Sequence, residues 1–182
     1  DFQTKFLKIG YSKRKDGIDK TEGNRPFIGR KGIGKLALLS CAKRIHIISK
    51  TKDTEFVGGV IDNSDLDNAI NDDLIPQQYP LEEVDFSLFN SLKDGLERGT
   101  IIYFEQVNDG IRNRIEYIRK LIALFFRFSL IDNTFKIHLN SDPITLNELN
   151  DLSLSTQFVW QLNTLDDPYL KEKISATNEH IK

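Results

Sequence analysis

One cysteine and three histidines in 182 residues close off two classes of protein at once. A single thiol, Cys41, cannot build a disulfide scaffold, and it fits a reducing compartment, so a cytoplasmic location is expected. Cys41 falls on the apolar side of a predicted helix and reads as a buried spectator. His46, His138 and His180 are too scattered to hold a metal, and His46 reads as a strand-surface residue. No apolar run approaches the roughly 18 residues of a membrane span, and no signal-peptide pattern is visible. Zinc-finger and helix-turn-helix patterns, internal repeats and low-complexity tracts are also missing. With 39% apolar residues, the chain suits one globular domain with a modest appendage.

The net charge of −2 conceals a strong asymmetry. Residues 1–52 carry 14 Lys or Arg against 4 Asp or Glu, whereas residues 53–95 carry 1 against 11. The basic part could meet a polyphosphate or a nucleic-acid backbone. It lacks the interleaved aromatics of a base-stacking surface. The acidic part reads as a solvated insertion over about 62–95.

The densest signal is Gly29-Arg30-Lys31-Gly32-Ile33-Gly34-Lys35. Glycines at this spacing let the backbone turn sharply and approach a ligand. Their amides, ahead of a helix predicted over 33–42, form an anion site suited to phosphate. Arg30, Lys31 and Lys35 add positive charge. A P-loop is disfavoured because Leu36 stands where a metal-binding Ser or Thr belongs and no buried strand precedes the run. A dinucleotide fingerprint has the reverse glycine spacing. A glycine turn that only lets a helix pack closely is the plain alternative.

Periodicity places the rest. Phe2, Phe6 and Ile9 suggest a short helix, and residues 11–25 a polar, mobile loop. Strands are expected at 44–49 and 55–61, paired as a hairpin across residues 50–54, with another at 100–106. Short helical pieces are expected within 62–95. Ile111, Ile115, Ile118, Ile122 and Phe125 mark one face of a long helix. A strand at 134–139 and a turn at 140–143 follow. Helices with antiparallel strands imply an α+β sandwich.

Gly29-x-x-Gly32-x-Gly34 followed by Lys35-Leu36-Ala37 resembles the second glycine box of the GHKL ATPases. That superfamily holds gyrase, heat-shock-90-type chaperones, mismatch-repair ATPases and sensor histidine kinases. Residues 28–50 are most similar to its prokaryotic heat-shock-90-like branch. Phe6-Leu7-Lys8-Ile9-Gly10-Tyr11-Ser12-Lys13-Arg14 resembles the segment that opens the ATP lid. Gly99-Thr100-Ile101-Ile102-Tyr103-Phe104 resembles the motif that starts a central strand.

The resemblance implies a two-layer α/β sandwich of Bergerat type, a mixed sheet with helices on one face, incomplete at its N-terminus. Residues 1–150 would be the C-terminal portion of the ATP-binding domain, with a lid at about 11–28. Residues 151–182 would be an extension or the start of another domain. Gly29, Arg30, Lys31, Gly32, Ile33, Gly34 and Lys35 would hold the β- and γ-phosphates, chiefly through backbone amides. Thr100 would stand near the adenine and its ordered water. The family's catalytic Glu, Mg²⁺-binding Asn and adenine-reading Asp have no counterpart here. The resemblance therefore assigns no catalytic or metal residue to this stretch. It implies ATP and Mg²⁺ as cofactors of a full-length ATPase, with this stretch inactive alone. Implied partners are other domains of the same chain and a second copy joined by a nucleotide-driven dimer. The alternative is a protein-interaction or nucleic-acid-associated module that keeps the fold without the chemistry.

Overall fold

A computed structural model describes residues 6, 8, 17, 19–21, 24–27, 34, 36–75, 77–111, 114–160, 167 and 169–174. The chain divides into two compact units, Asp1–Ile111 and Arg112–Lys182.

The first unit is built on three strands, β1 (Ala42–Lys50), β2 (Val57–Asp62) and β3 (Gly99–Val107), in the order β2-β1-β3. Both pairings are antiparallel, with His46 opposite Val60 on one side and Tyr103 on the other. The parallel pairing that a mixed sheet requires is not among the described residues. β3, expected to be central, is an edge strand there.

β1 is buried on both faces because its side chains alternate between two cores. Ile45 and Ile47 join Ala42, Ile61 and Ala69 in one core. Ile48 joins Val60, Val84 and Phe89 in the other. Helix α1 (Leu36–Leu39) sends Leu38 and Leu39 into the first core, and α2 (Asn63–Asn71) sends Leu66 and Ala69 there. These helices therefore share one sheet face. A 3₁₀ turn (Phe86–Phe89) running into α3 (Asn90–Lys93) brings Phe89 to the other. Asp62 caps α2 by accepting the Ser64 amide at 2.8 Å.

The predicted helix over 33–42 is shortened. Ala42 and Lys43 belong to β1, where Ala42 pairs with Val107 and is fully buried. Tertiary strand pairing overrides the local helical period. Cys41 lies in the turn between α1 and β1, partly exposed, with its Sγ donating to the Ala37 carbonyl at 3.3 Å.

The hairpin from β1 to β2 turns through residues 51–54. The Thr54 amide bonds the Thr51 carbonyl, and the two hydroxyls lie 2.9 Å apart. Gly58 has to be glycine, because a Cβ there would run into the Ile47 carbonyl oxygen.

The second unit contains α4 (Ile115–Phe125), α5 (Arg127–Leu130), β4 (His138–Leu139), β5 (Asp142–Pro143) and α6 (Asn150–Leu154). Its core gathers Ala123, Ile144, Leu149 and Tyr169. The face predicted for α4 is only partly right, since Ile115 is 44% and Phe125 74% exposed. The strand expected at 134–139 shrinks to two residues, because Asp132 holds the Thr134 amide and hydroxyl at 2.8 and 2.6 Å in a local turn. Asn140 and Ser141 both have positive φ and form the tight turn between β4 and β5.

Candidate functional site

Of the glycine loop, Gly29, Arg30, Lys31, Gly32, Ile33 and Lys35 lie outside the described residues, as does most of the expected lid. Gly34 is described. It is exposed, sits in the turn ahead of α1, and its carbonyl accepts the Ala37 amide at 3.1 Å. Its φ is not left-handed, and a Cβ built on it would meet nothing within 4 Å. Among the described residues, neither backbone conformation nor packing demands glycine there.

α1 packs on β1, and the chain turns back between them at Ser40 and Cys41. Thr100 sits at the Lys50 end of the β1–β3 pair, one register step from the Lys50–Gly99 pair. Its side chain is exposed, and its hydroxyl lies 2.9 Å from that of Ser49. Ser49 also donates to the Gly99 carbonyl at 3.2 Å. Gly99 adopts φ +151°, a conformation open to glycine and costly for other residues.

An open groove of about 680 Å³ lies here, lined by residues 49–53 and 98–100. It presents the cations Lys50, Lys52 and Arg98 against one carboxylate, Asp53. Lys52 and Arg98 are exposed and make no ion pair among the described residues. The Lys50 ammonium stands 5.4 Å from the centre of the Phe56 ring. The groove was not foreseen from sequence, although the basic Lys50-Thr51-Lys52 turn was its visible part.

A second polar cluster lies toward the other end of the sheet. Arg44 of β1 reaches Glu82 at 2.7 and 2.9 Å, Glu105 of β3 at 3.1 Å, and Asp62 of β2 at 3.5 Å. Two residues along the same face, His46 places Nε2 2.8 Å from the Glu105 carboxylate. His46 is 6% exposed, so the expected strand-surface histidine is in fact interior. Its Nδ1 is buried without a partner among the described residues. The hydrogen bond from His46, then those from Arg44, hold the Glu105 carboxyl below the ordinary carboxylate range. The acidic insertion is therefore not purely solvated: Asp62 and Glu82 neutralise Arg44.

Among the described residues, no group of three or more His, Cys, Asp or Glu is placed to hold a metal ion. No helix described is long and apolar enough to cross a membrane.

No family model matches the chain, and no solved structure matches it. Among curated proteins, it is 31% identical over 189 aligned residues to one from Herpetosiphon aurantiacus described as "Putative type II restriction enzyme HgiDII". The alignment takes in 98% of this chain and 28% of that protein, so the chain spans little more than a quarter of its relative's length.

Proposed function

We propose that this chain is the C-terminal portion of a GHKL-type ATP-binding domain, part of an ATP-driven conformational switch. The loop around Gly34 holds the nucleotide phosphates with its backbone amides, and Thr100 stands toward the adenine. The domain assignment over residues 1–150 and the Bergerat sandwich belong to this reading. By the printed name of the Herpetosiphon relative, the switch would serve an enzyme that acts on DNA.

The observation that carries the reading is Gly34. It is an exposed backbone position in a glycine-rich run, with no steric or conformational reason among the described residues to lack a side chain. A ligand supplies that reason, since close approach of an anion to backbone amides requires an unobstructed main chain. The outer edge of the nine-residue β3, which pairs with no strand among the described residues, supports it too. Long open edges are normally covered, and a further strand along β3 would make it internal.

The described residues fit ATP at two points, the open backbone of Gly34 and the Ser49–Thr100 hydroxyl pair. They offer no Mg²⁺ ligand set, so no step is assigned to the metal. Bound ATP supplies the phosphoanhydride whose hydrolysis would reset the switch. The chain's own part is to bind and orient it.

Isothermal calorimetry on the full-length protein tests the reading. Gly34→Val should keep folding stability within about 0.5 kcal/mol, because nothing crowds the new side chain. It should weaken ATP binding by about tenfold or more, a loss of roughly 1.4 kcal/mol. Unchanged ATP affinity in that variant would contradict the reading. The 182-residue chain by itself should bind Mg·ATP weakly, and micromolar affinity would show that it needs no adenine-reading Asp from elsewhere.

A further inference from the structure

We propose that the open groove beside the β1–β2 turn grips the phosphate backbone of duplex DNA. Its cations come from distant parts of the sequence. Lys50 ends β1, Lys52 lies in the following turn, and Arg98 immediately precedes β3. The antiparallel register sets Lys50 opposite Gly99, which brings Arg98 to the same rim. The neighbouring sequence is rich in acid, with 11 Asp or Glu over residues 53–95, yet only Asp53 lines the groove. Two of those eleven, Asp62 and Glu82, pair with Arg44 instead. Lys52 and Arg98 are exposed and make no ion pair among the described residues.

The shape selects the ligand. The lining has no aromatic or large apolar side chain, so nothing offers a base a stacking platform or a small molecule an apolar wall. An open trough with cations on its rim suits a charged strand passing across it, where lysine and arginine contact phosphates and carry no sequence information. Duplex DNA is chosen as the polyanion on the strength of the proposed role beside a DNA-acting enzyme. The groove itself rests on geometry alone. Ser49 and Thr100, which the ATP reading uses, line the same groove, so DNA binding is measured without nucleotide.

The test is fluorescence anisotropy with a short labelled blunt duplex of arbitrary sequence, on the full-length protein without nucleotide, over a range of salt. The double variant Lys52→Glu/Arg98→Glu should bind about tenfold or more weakly, and its plot of log affinity against log salt should lose about 2 units of slope, near 0.9 per lost phosphate contact. Lys136→Glu, an exposed reversal in the other unit, should change both far less. Equal affinity and slope for the double variant and the wild type would overturn the proposal. So would a duplex RNA bound much more tightly than the DNA, or displacement of the DNA by inorganic triphosphate at equal charge concentration. Calorimetry with ATP on the same double variant keeps the two readings apart. If ATP never binds the wild type but the reversal still removes DNA binding, the groove stands and the switch falls. If ATP binds and the reversal leaves DNA binding intact, the groove falls and the switch stands.

Discussion

Two arginines at opposite ends of the same strand pair have opposite surroundings. Arg44 meets three carboxylates from three separate segments, and a buried histidine shares one of them. Arg98, beside Lys50 and Lys52, meets none among the described residues. The first arrangement is closed: its charges are satisfied inside the fold, and they tie β1, β2, β3 and the 81–84 segment together. The second is open, and its charges are available to something outside. A cation kept for architecture brings its counter-charges with it, whereas a cation kept for a ligand leaves the counter-charge to the ligand.

The contrast breaks most easily at Arg44. Arg44→Met should destabilise the first unit by about 2–3 kcal/mol, because three carboxylates then lose the cation they share. The cost stays below that of breaking a fully buried pair, since the Arg44 side chain retains 26% exposure. Urea titration followed by linear extrapolation measures it. A loss under about 0.5 kcal/mol, the usual range for a surface change, would mean the cluster is not structural.

The next effect depends on pH. The Glu105 carboxyl is held low in the folded state by His46 and Arg44. A depressed folded value contributes stability that is present above the ordinary carboxylate range and is lost as pH falls through the folded value. Denaturation midpoints followed from about pH 6 down to about pH 3 should fall steeply for the wild type and less steeply for Glu105→Gln. Parallel acid limbs would remove Glu105 from the account. The smallest effect is at the open end of the sheet, where Arg98→Ala should alter stability by no more than about 0.5 kcal/mol. A loss comparable to that of Arg44→Met would show that Arg98 has an internal role.

What the sequence made legible follows from how far each signal reaches. β1, β2 and β3 were readable because β-branched runs such as Ile45-His46-Ile47-Ile48 and Thr100-Ile101-Ile102 are local and bounded by turn residues. The Thr51–Thr54 hairpin turn was readable for the same reason. The end of α1 was not, because Ala42 and Lys43 continue a helical period and only pairing with residues near Val107 makes them strand. The interior position of His46 was hidden as well. It depends on two β3 residues across the sheet, Glu105 and Tyr103, whose ring centre lies 5.4 Å from that of His46. Arg44 and its carboxylates, and Lys52 with Arg98, are far apart in sequence, so no spacing pattern announces either group. The glycine run announced itself plainly, and Gly34 is the part of it that can be weighed against geometry.

The most direct measurement pairs the two variants in one set of assays. Full-length protein carrying Gly34→Val or Lys52→Glu/Arg98→Glu would be tested for ATP by calorimetry and for duplex DNA by anisotropy. The account predicts that the glycine variant loses ATP by about tenfold or more and keeps DNA, while the charge variant loses DNA by a similar factor and ATP by less. A glycine variant that binds ATP as the wild type does would contradict the central claim that Gly34 is bare to make room for a nucleotide.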